Sequence, residues 1–286
     1  MPARLAWNGY GKAAVRLVKL ARDASRHQLF DLTVDVQLQG EFAATHIEGD
    51  NAAVLPTDSM KNAIYALAQQ GPVDPPEAFG RRLGRHFLAA CPAARRAVVT
   101  LAAHRWDRLT VGGEPHDHAF GRGPPERRTA EVTVERDGES VRAGIEALGL
   151  LKTTGSEFQG FLRDRYTTLP EAADRILATE VSARWRYAPA PTAWTPAWDA
   201  VRTALVETFA LRYSRSAQET LYALGEAALA ACAEVAEIRL VLPNQHHLLV
   251  DLSPFGLEND GTVFVATREP YGRIEAEITR VVSPGS

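Results

Sequence analysis

The sequence of 286 residues has few cysteines, no long apolar runs and almost no net charge. Its two cysteines, Cys91 and Cys232, are far apart and outside any CxxC pair, which argues against a disulfide framework or a zinc knuckle. No stretch reaches the roughly 18 apolar residues of a membrane-spanning helix. The 32 basic and 35 acidic side chains nearly cancel, so neither nucleic-acid nor membrane binding is predicted.

Several familiar active-site motifs are also missing. The sequence has no Gly-rich phosphate loop, GxSxG elbow or HExxH motif. His116 and His118 would point the same way on a strand, but no third ligand is in register, so we favour a polar turn and predict no metal site. The N-terminus lacks a signal-peptide core and Ser283–Ser286 is not a peroxisomal address, so we expect a cytoplasmic location.

The composition, with 45% hydrophobic and 23% charged residues, is typical of a globular protein. Apolar and polar residues alternate over 30–39, which predicts an antiparallel strand with one wet face. Helical spacing follows over 58–70 and 77–90. Similar patterns predict the remaining elements: strands 12–22, 96–106, 128–135, 141–152, 176–187, 238–252 (broken at Pro243), 262–266 and 273–280, and helices 197–211 and 217–233.

The order ββααββ therefore occurs twice, which predicts two duplicated α+β domains, 1–137 and 138–286. Each helix pair is expected to cover one face of an antiparallel sheet. The other face of the sheet, which carries either Trp185 and Tyr187 or the side chains that alternate with them, would then be exposed. Because an exposed sheet face of this kind is usually buried against another subunit, we predict oligomerisation.

Polar segments at element ends are the candidate functional positions, although each has an ordinary interpretation. Thr57 and Asp58 are typical of a helix N-cap pair, but free N–H groups at a helix start also bind oxyanions. Ser216 and Glu219 have capping-box spacing. The segment 242–247 interrupts an apolar strand, as bulges beside active sites do.

Seven short motifs, in order along the chain, resemble the urate oxidase (uricase) family. They are Tyr10-Gly11-Lys12, Pro56 to Asn62, Lys152 to Phe158, Thr167 to Pro170 with Asp174-Arg175, Tyr213-Ser214 through Gln218, Leu242 to His246, and Pro270-Tyr271-Gly272. The resemblance covers almost the whole chain. It implies two tandem tunnelling-fold domains that assemble into a barrel-like homotetramer, with no metal and no organic cofactor.

The resemblance also implies a reaction, in which urate, O2 and water give 5-hydroxyisourate and H2O2. It assigns proton transfer to Lys12 and Thr57, extended by His246; histidine is the side chain that changes charge near neutral pH. The implied substrate contacts are Phe158 as a stacking ring, Arg175 and Gln218 as edge clamps, the backbone N–H groups of Ala217 and Asp58, and Asn244 at the O2 or water site.

In the family the site lies between two subunits, so Lys12, Thr57 and Asp58 would face the clamp residues of a partner. The chain departs from the family pattern at Gln159 and Ala217, where larger apolar residues are usual. Both changes reduce packing around the substrate ring, so we expect them to affect affinity rather than chemistry.

Two alternatives remain open at this point. One is another enzyme of the same architecture that acts on a pterin or purine with zinc; the His116 and His118 pair is the feature that leans this way. The other is a catalytically inactive purine-binding tetramer. Zinc content distinguishes the first from urate oxidase, and urate binding without oxygen uptake would identify the second.

Overall fold

The computed structural model describes residues 3–22 and 25–281, so the C-terminal Ser283–Ser286 lies outside the described residues. The chain divides into two compact units, Met1–Gly144 with Ala190–Thr195, and Ile145–Pro189 with Pro196–Ser286. The predicted domain boundary at 137/138 lies at the turn formed by residues 136–137, and it stays a prediction. Within the described ranges, no helix is long and apolar enough to cross a membrane.

The first unit is an antiparallel sheet covered on one face by two helices. Its strands, in sheet order, are β1 (Tyr10–Ala21), β2 (Gln28–Gly40), β3 (Ala94–Val111) and β4 (Glu114–Glu135). The covering helices are α2 (Thr57–Gln70) and α3 (Pro76–Ala90), and a short helix α1 (Ala43–Ile47) precedes them. Alternate side chains such as Val34 and Leu101 are fully buried and join Ile64 and Leu83 of the helices in one core. Period-two strands and period-3.6 helices thus meet through their apolar faces.

The second unit repeats this pattern. In chain order its elements are β5 (Gly138–Lys152), β6 (Leu177–Tyr187), α4 (Trp194–Leu211), α5 (Ala217–Ala231), β7 (Val235–Gln245), β8 (His247–Leu249), β9 (Phe264–Ala266) and β10 (Gly272–Thr279). Strand β5 begins in the first unit and continues into the second. Strand β7 pairs antiparallel with β6 on one side and β10 on the other, and α5 packs on β7 and β10. The twofold ββααββ order predicted from the sequence is confirmed.

The predicted break at Pro243 is wrong. Strand β7 continues through Pro243, which lies opposite Arg273 of β10, and it ends at Gln245. The ladder to β6 is instead interrupted beside Pro243, since no pairs lie between Thr179↔Asn244 and Ser182↔Val241. Proline has no N–H to donate, so it interrupts one ladder while the strand itself runs on.

The helix-covered face of β6 carries the aromatic row. Trp185 is fully buried and Tyr187 is nearly so, whereas Glu180 and Arg184 on the opposite face are exposed. The face of β6 without a helical cover is therefore the polar one. Oligomerisation through such a face stays a prediction.

Candidate functional site

The sequence-predicted site residues form two groups, one in each unit. The first, called the Lys12 group, consists of Lys12, Thr57 and Asp58. The second, called the Arg175 group, consists of Phe158, Arg175, Ala217, Gln218, Asn244 and His246. In both units the residues collect where a helix starts beside the end of a strand.

Lys12 lies on the helix-covered face of strand β1. Its cross-strand partner is Val36, which is buried in the core, and cross-strand partners share a face. Gly11 allows this close pairing, because a Cβ at that position would lie 1.8 Å from the carbonyl oxygen of Val36. The hydrogen bond and the charge of Lys61 are the main causes of the lowered pKa of Asp58, and the charge of Lys12 makes the smallest contribution. Lys12 and the start of α2 are therefore electrostatic neighbours.

The start of helix α2 is not capped by a side chain, contrary to the N-cap prediction for Thr57 and Asp58. The N-cap position is Pro56, and Thr57 is already the first helical residue. The carboxylate of Asp58 instead accepts hydrogen bonds from Lys61 and Asn62 further along the helix. Because first-turn N–H groups have no acceptor within a helix, those of Thr57 and Asp58 are suited to bind an anion or a carbonyl oxygen.

Tyr10 links strand β1 to the segment that leads into α2. Its hydroxyl accepts a hydrogen bond of 2.8 Å from the backbone N–H of Leu55, two residues before Thr57. Burial, followed by the charge of Cys91, raises the pKa of Tyr10 to about 12, so the hydroxyl stays protonated. This bond helps to fix the position of Lys12 relative to Thr57.

In the second unit, the loop after β5 is tied to the segment before α5. Lys152 Nζ donates to the carbonyl oxygen of Arg212 and to Ser214 Oγ, both at 2.7 Å. Ser156 and Ser214 form a parallel bridge, and Arg175 N–H donates to the carbonyl oxygen of Ser156 at 2.7 Å. The backbone around Phe158 and Arg175 is thereby held beside the N-terminus of α5.

Arg175 and Phe158 are in direct contact. The guanidinium carbon lies 5.3 Å from the centroid of the Phe158 ring, a cation–π arrangement. Phe161, which sequence reasoning missed, stacks on Phe158 with 4.9 Å between centroids and 12° between ring planes. Burial lowers the pKa of Arg175, and its Nε is buried with no hydrogen-bond partner among the described residues. A buried guanidinium donor without a partner is what an anionic ligand would satisfy.

Helix α5 presents its N-terminus at the same end of the sheet. Ser216 Oγ accepts from the N–H of Glu219 at 3.1 Å, which confirms Ser216 as the cap. Ala217 is buried and Gln218 is exposed. A connection of three residues, 232–234, joins α5 to β7, so the start of α5 lies near the end of β7, where Asn244 is found.

Asn244 and His246 mark the end of β7. Asn244 pairs with Thr179 of β6, whose hydroxyl is buried and has no partner among the described residues. Asn244 therefore points to the helix-covered side, as the buried Thr179 does. His246 is half-buried, and its carbonyl oxygen accepts hydrogen bonds from the N–H and the hydroxyl of Thr267.

The described residues contain no group of three or more His, Cys, Asp or Glu side chains placed to hold a metal ion. His116 and His118 are in contact, with ring centroids 4.6 Å apart. His104 lies in the same unit, and its Nε2 is 2.8 Å from Thr33 Oγ1. The polar-turn interpretation of His116 and His118 is wrong, because both lie in strand β4, after the turn at 112–113.

Asp174 supports the position of Arg175, and this gives a pH-dependent prediction. Its carboxylate accepts from Thr154 Oγ1 at 2.6 Å and from the N–H of Ser156 at 3.3 Å, and the Thr154 bond is the main cause of its lowered pKa. A carboxylate whose pKa is lower in the folded than in the unfolded state stabilises the fold at pH values above the unfolded pKa of about 3.9. This stabilisation is lost as the pH falls through the folded-state pKa. We expect hydrogen–deuterium exchange around Ser156 to accelerate below about pH 4.

Asp174→Asn removes this titration, so exchange around Ser156 should already be faster, by about threefold to tenfold, at neutral pH and should respond less to acid. Asp164→Asn is a matched control, because Asp164 also has a lowered pKa from bonds to Thr167 and Tyr166 but lies in another turn. Equal acceleration around Ser156 in both variants would contradict this role for Asp174.

The duplicated ββααββ architecture, with a group of candidate site residues near the start of a helix in each unit, defines a tandem tunnelling-fold protein. The Uricase family model matches residues 8–133 and 141–275, and the chain belongs to this family. It is 46% identical over 276 residues to a uricase from Arthrobacter globiformis, covering 96% of this chain and 90% of that protein. A uricase from Aspergillus flavus is 38% identical, with 95% of each chain covered.

A solved structure supports the same relationship. The crystal structure of uricase from Arthrobacter globiformis matches with a TM-score of 0.93 at 45% sequence identity, covering 100% of this chain and 98% of that one. A match at this level extends over both ββααββ repeats, so the tandem tunnelling fold predicted from the sequence is confirmed.

Proposed function

We propose that this chain is a urate oxidase, which converts urate, O2 and water to 5-hydroxyisourate and H2O2. The observation that carries the proposal is the buried Nε of Arg175, without a partner among the described residues, beside the Phe158 ring in a chain of the uricase family. Urate is a planar anion, and a planar cation beside an aromatic ring recognises that shape and charge.

The Arg175 group would bind the substrate. Arg175 offers donors in a fixed fork to a carbonyl oxygen and a ring nitrogen, a geometry that lysine does not supply. Gln218 offers both a donor and an acceptor to the opposite edge of the ring. The N–H of Ala217, in the first turn of α5, would bind a further polar atom, and Asn244 would hold O2 or water.

The Lys12 group would move the protons. Oxidation of urate requires a further proton to leave the anion before electrons pass to O2. A threonine hydroxyl is a weak base alone, but Thr57 can pass a proton to a neighbouring amine such as that of Lys12. The N–H of Asp58 would bind a polar atom of the substrate, and His246 would extend the relay.

We further propose that the active protein is a homotetramer in which the Lys12 group of one subunit meets the Arg175 group of another, and that it uses neither metal nor organic cofactor. The proposal follows the family resemblance. The cytoplasmic location stays a prediction from the sequence.

Oxygen uptake by chelator-treated protein tests the function. On adding urate we expect O2 consumption matched one to one by peroxide release and by loss of urate absorbance. No uptake would refute the proposal, and urate binding without uptake would identify an inactive purine-binding protein. Activity that returns only with zinc would refute the cofactor-free reaction.

A further inference from the structure

Strand β1 contains a one-residue bulge directly after Lys12. Lys12 lies opposite Val36, whereas Val15 lies opposite Val34, so two alanines together face the single residue Asp35 of β2. An inserted residue reverses the face to which the following side chains point. Because of this bulge, Lys12 and Val15 both lie on the helix-covered face, although they are an odd number of residues apart.

The bulge needs a backbone conformation that its sequence does not favour. Ala14 has a φ of 56°, in the left-handed region that alanine rarely adopts. The register shift also takes the N–H of Ala14 out of the regular ladder. That N–H donates to Asp35 Oδ1 at 2.5 Å, so a carboxylate replaces the missing backbone acceptor.

Asp35 acts from the opposite side of the sheet to Thr57. It alternates with the buried core residues Val34 and Val36, so its side chain points away from the core, and it lines a cleft of about 360 Å³ together with Lys12, Gln37 and Thr100. Its carboxylate therefore reaches the bulge from the face of β2 opposite to that of Val34 and Val36. Asp35 does not belong to the Lys12 group itself.

We propose that Asp35 is a positioning residue for Lys12: by binding the N–H of Ala14 it fixes the bulge and keeps Lys12 on the face of Thr57. The inference rests on the proposed function, because it concerns the residue assigned to proton transfer. Without this acceptor, β1 can relax to a regular register that turns Lys12 toward the outer face, or moves Val15 out of the core.

Three variants separate this role from general stability. Asp35→Ala should lower kcat for urate by about tenfold or more, with KM nearly unchanged, because the substrate clamp is in the other unit. Asp35→Asn keeps an oxygen acceptor and should stay within about threefold of the unmodified kcat. Adding Ala14→Gly to Asp35→Ala should recover much of the lost kcat, because glycine adopts a positive φ freely.

Hydrogen–deuterium exchange of the segment containing Ala14 gives a readout independent of chemistry. Asp35→Ala should accelerate exchange there, and the added glycine should reduce it again. The control is Gln37→Ala, two residues away on the same face, whose side chain accepts a hydrogen bond from that of Gln39. This control should change neither kcat nor exchange at Ala14.

Unchanged kcat in Asp35→Ala, or a loss of kcat without faster exchange at Ala14, would overturn the inference. So would a loss that Ala14→Gly fails to reverse. Urate oxidation by the unmodified protein is measured first. If it is absent, the proposed function is refuted, while the exchange comparison still decides whether Asp35 fixes the bulge.

Discussion

Replacing Lys12 with methionine is expected to reduce kcat for urate oxidation by about 10²–10⁴-fold, the usual contribution of a positioned general base. Methionine preserves most of the apolar stem but cannot accept a proton. KM should change little, because the residues proposed to clamp urate lie in the second unit. Steady-state oxygen uptake over a range of urate concentrations measures both parameters.

Lys19→Met is the matched control for this variant. Lys19 lies on the same strand, and its Nζ donates to the carbonyl oxygens of Ala68 and Gly71, so its loss should lower thermal stability without affecting chemistry. The role of Lys12 would be contradicted if Lys12→Met kept more than about a tenth of kcat, or if both variants lost the same fraction.

Replacing Arg175 with lysine is the second change with a large expected effect. The positive charge remains, but the planar fork and the buried Nε donor are lost. We expect KM for urate to rise by about 100-fold, since charge-assisted bidentate contacts are among the strongest hydrogen bonds in proteins. The cation–π contact of 5.3 Å to Phe158 would weaken as well.

Arg184→Lys controls for the general effect of this substitution, because Arg184 is exposed on the uncovered face of the following strand. It should leave both kcat and KM near their original values. An Arg175→Lys protein with unchanged KM would show that the guanidinium fork does not bind urate.

Alternation and helical spacing were sufficient to predict the duplicated fold, because each element buries one regular face. Val34 in β2 and Ile64 in α2 are examples, and both are fully buried as their spacing predicts. The break predicted at Pro243 was wrong, because a proline lacks only its own backbone N–H and leaves the rest of the strand able to pair. In this strand it interrupts one of two ladders and leaves the strand intact.

Less of the candidate site than of the fold could be predicted from the sequence. The bulge at Ala13 and Ala14 carries no turn signal, since neither residue is glycine, asparagine or aspartate, and Asp35 looked like an ordinary polar strand residue. Phe161 stacks on Phe158 from a loop without periodicity. The roles proposed for the Lys12 group and the Arg175 group came from family resemblance, because spacing alone does not show that distant segments act together.

Subunit complementation tests most directly whether the two groups form one urate-oxidising site. Lys12→Met and Arg175→Met proteins carry different affinity tags, are co-expressed, and their mixed oligomers are purified through both tags. If each site joins the groups of two subunits, roughly a quarter of the sites in a random mixture are intact, so activity should return well above that of either parent. Mixed oligomers as inactive as both parents would contradict a site shared between subunits.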